Sequence, residues 1–123
     1  MIVNTTGEII QNGGSSYEET TLWSGMEYAT DTQLNLDGNI SDYDQINFQV
    51  YRKANNYPDQ LISGVYLKSA LTVGETIAIL GYGNGDYLYM TISAYNKIVI
   101  TAGYGESFSI RKIVGVKYCQ EVV

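Results

Sequence analysis

A chain of 123 residues is long enough for one domain with one core. Twelve tyrosines, no histidine and one cysteine exclude an internal disulfide and a histidine-based catalytic triad, and a net charge of −6 argues against nucleic acid as a ligand, since phosphate binding needs a basic patch. Hydrophobic residues at 45% exclude general disorder, and charged residues at only 16% leave neutral surface suited to meeting a partner.

From Met1 to about Thr21 the chain is polar, holds QNGGSSYEETT at 11–21 and shows no sustained periodicity, so residues 1–20 read as an arm or attachment segment. Ile2, Val3, Ile9 and Ile10 are the side chains there able to anchor the arm or make oligomer contacts. The start MIVNTTGEII lacks a basic leader, and no apolar run approaches the ~20 residues of a membrane span, so a soluble protein made in the cytoplasm is expected.

Residues 21–123 are a series of short β-branched and aromatic runs with a single proline, Pro58, and no helical stripe. Strands are expected at 20–24, where Trp23 should plug the core, and at 32–36. The stretch LDGNISDYD follows, with Asp37, Asn39, Asp42 and Asp44. Its oxygens could attract calcium, but EF-hand spacing and the closing glutamate are missing, so turn-forming and capping are the preferred roles and no metal is assigned. Over 45–52, Ile46, Phe48 and Val50 alternate with Asn47, Gln49 and Tyr51, which predicts a half-buried strand.

The segment YRKANNYPDQ then gathers Tyr51, Arg52, Asn55, Asn56, Tyr57 and Asp59, either as a projecting contact loop or as an ordinary connector of turn formers. Further strands are expected at 61–68 and 75–82. GYGNGDY at 81–87 lacks the spacing and the lysine of a phosphate loop, and a glycine hairpin explains it more simply. Together with its echo GYGE at 103–106, it could instead display Tyr82 and Tyr104 as stacking platforms.

Leu88, Met90 and Ile92 alternate with Tyr87, Tyr89 and Thr91, and an AYNK turn leads on to Ile98 and Ile100, which predicts an antiparallel hairpin with Tyr87 and Tyr89 on one face. In the last run Phe108 and Ile110 are in phase while Ile113 is not, which predicts a β-bulge or change of sheet at Arg111 and Lys112. The sum is an all-β domain, an antiparallel β-sandwich of jelly-roll type with about eight strands and an extended N-terminal arm.

Tyrosine combines a rigid aromatic face with one hydroxyl, and sugar C–H faces stack on such rings while amides bond the hydroxyls. The candidate ligand residues are therefore Tyr51, Asn55, Asn56, Tyr57, Tyr82, Tyr87, Tyr89 and Tyr104. No serine has a histidine to activate it and no acidic pair stands out, so no catalytic residue, cofactor or metal is assigned and a noncatalytic protein is expected.

Four segments carry a resemblance: LWSG at 22–25, LNL at 34–36, SDYDQINF at 41–48 and IRKIVGVKY at 110–118. Across most residues after Thr20 the chain resembles the small β-rich domains of bacteriophage tail structural proteins, such as tail-fibre tips, baseplate appendages and receptor-binding heads. The resemblance implies a virion protein of the tail or baseplate, homo-oligomeric and most often trimeric, held by other virion proteins and directed at cell-surface saccharides. It transfers no catalytic or ligand residue. This chain departs from the family in its shortness, with no fibre shaft. A structural adaptor or head-decoration protein on the capsid surface, without receptor binding, is the alternative.

Overall fold

The computed structural model describes residues 16–53, 60–81, 86–103 and 108–119. They form eight strands, β1 (Ser16–Glu27), β2 (Gln33–Asn35), β3 (Gln45–Arg52), β4 (Gln60–Leu67), β5 (Thr76–Leu80), β6 (Tyr87–Ala94), β7 (Lys97–Gly103) and β8 (Phe108–Cys119), with single 3-10 turns at Ile40–Asp42 and Lys68–Ala70. One sheet has the order β1-β8-β3-β4 and the other β2-β7-β6-β5, and every described pairing is antiparallel. The expected eight-strand sandwich is thus what forms. Its wrap is the jelly-roll one where β1 and β2, at the start of the chain, pair with β8 and β7 at its end. Local hairpins complete it, joining β3 to β4 and linking β5, β6 and β7 in sequence.

Alternation explains which face each strand buries. Ile46, Phe48 and Val50 of β3 and Leu88, Met90 and Ile92 of β6 point inward and are fully buried, meeting Ile98 and Ile100 of β7 and Ile110 and Ile113 of β8 in one continuous core. The two phases of β8 are reconciled at Arg111. Gln49 stands opposite Lys112 whereas Val50 stands opposite Ile110, so Arg111 is the extra residue of the expected bulge and both Ile110 and Ile113 reach the core. Trp23 packs against this core from β1, between two breaks of register.

β1 begins at Ser16, inside the segment read from sequence as an arm, and its first residues pair with the end of β8. β3 reaches only as far as Val116, so Ser16, Tyr17 and Glu18 pair with Cys119, Tyr118 and Lys117 as a two-stranded ribbon. Both faces of that ribbon are exposed, and a strand with no buried face has no reason to alternate. Ile2, Val3, Ile9 and Ile10 lie outside the described residues.

The connection from β2 to β3 locks onto β8. The ring of Tyr43 lies on Gly115, where an added Cβ would meet the ring carbons at 2.6–2.8 Å. The amide of Asp44 donates to the carbonyl of Val116 at 2.9 Å, and its carboxylate Oδ2 accepts from the amide of Tyr118 at 2.7 Å. The Tyr118 hydroxyl donates to Gln45 Oε1. On the opposite side of the sandwich, Tyr66 of β4 reaches across to β5, donating its hydroxyl to the Ala78 carbonyl at 2.7 Å and accepting from the Ala78 amide at 3.2 Å. Its ring meets Phe48 edge-on at 5.8 Å.

Gly115→Ala should lower unfolding free energy by about 1–3 kcal/mol, the usual cost of overpacking, and Tyr43→Leu in the same chain should recover part of it. Denaturant titration of the single and double variants measures this. Tyr66→Phe keeps the ring but strips the β5 backbone of both its partners, so a loss of roughly 1–3 kcal/mol is expected by the same titration.

Candidate functional site

Three connections that the sequence marks for binding leave the sandwich at one end. Their bases are Arg52 and Gln60, Gly81 and Asp86, and Gly103 and Phe108. Arg52 is the hub that brings them together. It stands opposite Gln60 of β4 and Phe108 of β8 in the ladder, and its Nε is 2.5 Å from Asp86 Oδ2 across the gap between the sheets. Asp86 in turn closes the neck of the second connection, its carbonyl accepting from the Gly81 amide at 2.8 Å. Gly81 is required there because a Cβ would strike Asp86 Cβ at 2.6 Å and the Phe108 ring at 2.9 Å. Both partners of the ion pair are largely withdrawn from water, with 19% of the Arg52 side chain and 9% of the Asp86 side chain exposed.

Tyr87 and Tyr89 both project from the outer face of the β2-β7-β6-β5 sheet, as their phase requires, with ring centroids 5.3 Å apart and planes inclined at 40°. Leu80, opposite Tyr87, adds an exposed apolar side chain to the same face, and Thr101 supplies a hydroxyl that donates to the Tyr89 carbonyl at 3.2 Å. Tyr51 projects from the outer face of the other sheet, so the structure sets it on the opposite side of the domain from Tyr87 and Tyr89. The guanidinium of Arg111 lies 4.4 Å above its ring, a cation–π contact that the bulge makes geometrically available. One face of Tyr51 is therefore already occupied. Asn55, Asn56, Tyr57, Tyr82 and Tyr104 lie outside the described residues.

The tyrosine pair is thus the part of the sequence-derived site that is brought together, and its chemistry is that of an uncharged aromatic surface of two mutually tilted rings. Two rings at this spacing can each take one apolar face of a ligand, while neighbouring hydroxyls and backbone groups fix its orientation. Other features were missed in sequence. Tyr17 and Tyr118 stand opposite each other and exposed on the ribbon at the far end. In sequence Arg111 stands only at the expected bulge or change of sheet, and the signal that it turns over Tyr51 lies in the phase break itself. No family model matches the chain, and no curated protein matches it in sequence.

Arg52→Ala should leave the Asp86 carboxylate short of its charged partner in a nearly water-free position, costing about 1–3 kcal/mol. Hydrogen exchange at Gly81 and neighbouring amides should accelerate more than exchange in β3, because the neck of the β5–β6 connection is what the pair holds down.

Proposed function

We propose that this chain is a noncatalytic structural protein of a bacteriophage virion, associated with the tail or baseplate, which contributes to recognition of saccharides on the host surface. The observation that carries the binding half of this reading is the pair of half-buried Tyr87 and exposed Tyr89 on an outer sheet face, rooted beside the end from which the glycine- and asparagine-rich connections leave. The virion half rests on the resemblance at 22–25, 34–36, 41–48 and 110–118.

Binding of a sugar to such a platform is weak for one copy and strong for many. Stacking on an aromatic ring contributes roughly 0.5–1.5 kcal/mol, and several copies on one particle raise the effective affinity by about 10²–10⁴ when their spacing suits the receptor array. No charged pocket is needed, which agrees with a surface carrying few charges.

A specific observation also favours the second reading, an adaptor or head-decoration protein. β4 presents Leu61, Val65 and Leu67 to solvent at 61%, 56% and 58% exposure, the kind of neutral surface that subunit contacts cover. Copy number on the particle separates the two, since occupancy at every capsomer means decoration and a few copies at the tail tip mean recognition.

A glycan array probed with the full chain, displayed multivalently, tests the leading reading. Binding to a defined saccharide set is expected, and Tyr87→Ser with Tyr89→Ser should weaken it by about tenfold or more, the sum of two lost stacking contacts. Unchanged binding by the double variant would remove the platform from the site. An array with no bound glycan would leave the adaptor reading in its place.

A further inference from the structure

The four edge strands of this sandwich are not equally protected. An unpaired strand edge is a template for another chain, and proteins blunt such edges with charges, bulges, short length or a cover. β1 carries Glu18, Glu19 and Glu27 and two breaks of register. β2 is three residues long. β5 has the hydroxyl of Tyr66 on the amide and carbonyl of Ala78. Among the described residues β4 has none of these devices. Its eight residues, QLISGVYL, hold no charge and no proline, and they pair with β3 without a break. A depression of about 400 Å³ opens along its first half, lined by Gln60, Leu61, Ile62 and Ser63, and among the described residues no donor reaches the buried Oε1 of Gln60.

We propose that the free edge of β4 pairs with β4 of a second copy of this chain, antiparallel about a two-fold axis at Gly64. Three properties of the strand select its own copy as the occupant. The protein as a whole carries −6, yet β4 is uncharged, so self-pairing sets no like charges opposite one another. The two-fold register about Gly64 uses the whole strand and keeps its faces in phase, setting Leu61 opposite Leu67 of the copy and Ser63 opposite Val65, so the exposed leucines of the two copies meet across the joint. It also sets the Lys68 end of one strand beside the Gln60 end of the other, bringing a donor near the unpartnered Oε1.

The geometry has a consequence for binding. A two-fold axis perpendicular to the joined sheet turns the loop-bearing ends of the two copies in opposite directions, but it leaves their β2-β7-β6-β5 faces on the same side. Both Tyr87–Tyr89 pairs then look the same way, so the pair of domains is bivalent through its face rather than through its loop tips. The pairing itself does not depend on what those tyrosines bind.

Sedimentation of the full chain over a wide concentration range tests the proposal. A monomer–dimer equilibrium is expected, and Val65→Lys, at an exposed position, should raise the dissociation constant by roughly tenfold or more while leaving the circular dichroism spectrum unchanged. A second measurement stands apart from that variant's folding. With Cys119→Ser as background, a mixture of Ser63→Cys and Val65→Cys chains should oxidise to the mixed disulfide in preference to either homodimer, because those two positions face each other across the axis. A monomer at every concentration, a trimer, a dimer indifferent to Val65→Lys, or a mixture without the preferred mixed disulfide would each overturn it.

Discussion

The sandwich depends on β8 being held between β1 and β3, because that placement joins the two ends of the described chain and closes the wrap. A strand can satisfy its backbone in several registers, and a slip of one residue would exchange its core and solvent faces. The lock at Tyr43, Asp44 and Gln45 removes that freedom. The ring of Tyr43 fits only where β8 has no side chain, at Gly115, and Asp44 reads the backbone just beyond that glycine, at Val116 and at Tyr118. Once Gly115 is fixed opposite Ile46, the bulge at Arg111 brings Ile110 opposite Val50, and the core of the β1-β8-β3-β4 sheet is complete.

Periodicity made the centre of the fold legible in sequence. Strands such as Gln45–Arg52 and Tyr87–Ala94, with one face buried and one exposed, announced themselves by alternation, and the phase break near Ile113 announced the bulge. The β1–β8 ribbon was not legible because neither of its faces is buried, so its polar sequence resembles a linker. The site was legible only in part for a related reason. Phase assigns a side chain to the inside or outside of its own sheet, which placed Tyr51, Tyr87 and Tyr89 outward, but it does not say which sheet a strand joins. That is why Tyr51 and the Tyr87–Tyr89 pair, grouped together in sequence, stand on opposite faces.

Charge economy connects the remaining features. With so few charged residues, this chain places them where geometry gives them particular work: Arg52 and Asp86 tie the two sheets at the loop-bearing end, and Arg111 covers one side of Tyr51. An ion pair between sheets at that end steadies the bases of the connections more than it stabilises the core, since the desolvation of two charges offsets much of their attraction. Its value lies in fixing Gly81 and Asp86, and through them the start of β6, so that Tyr87 leaves the neck in a defined direction and Tyr89 follows two residues on with its ring beside it.

The same shortage of charge that keeps the Tyr87–Tyr89 face neutral leaves β4 without the usual defence of an edge strand. A lysine or glutamate at Ser63 or Val65 would be tolerated by the fold, because both positions face solvent and neither contributes to the buried core. Stability therefore does not require an uncharged β4. On β1, by contrast, three glutamates and two breaks of register guard an edge of similar exposure, so protection is available to this sequence and is used where self-pairing would interfere with the ribbon. The difference between these two edges of one sheet is a difference in what may approach them. An edge left neutral, regular and apolar on its outer row is open to another strand of the same character, and the nearest supply of such a strand is another copy of the chain.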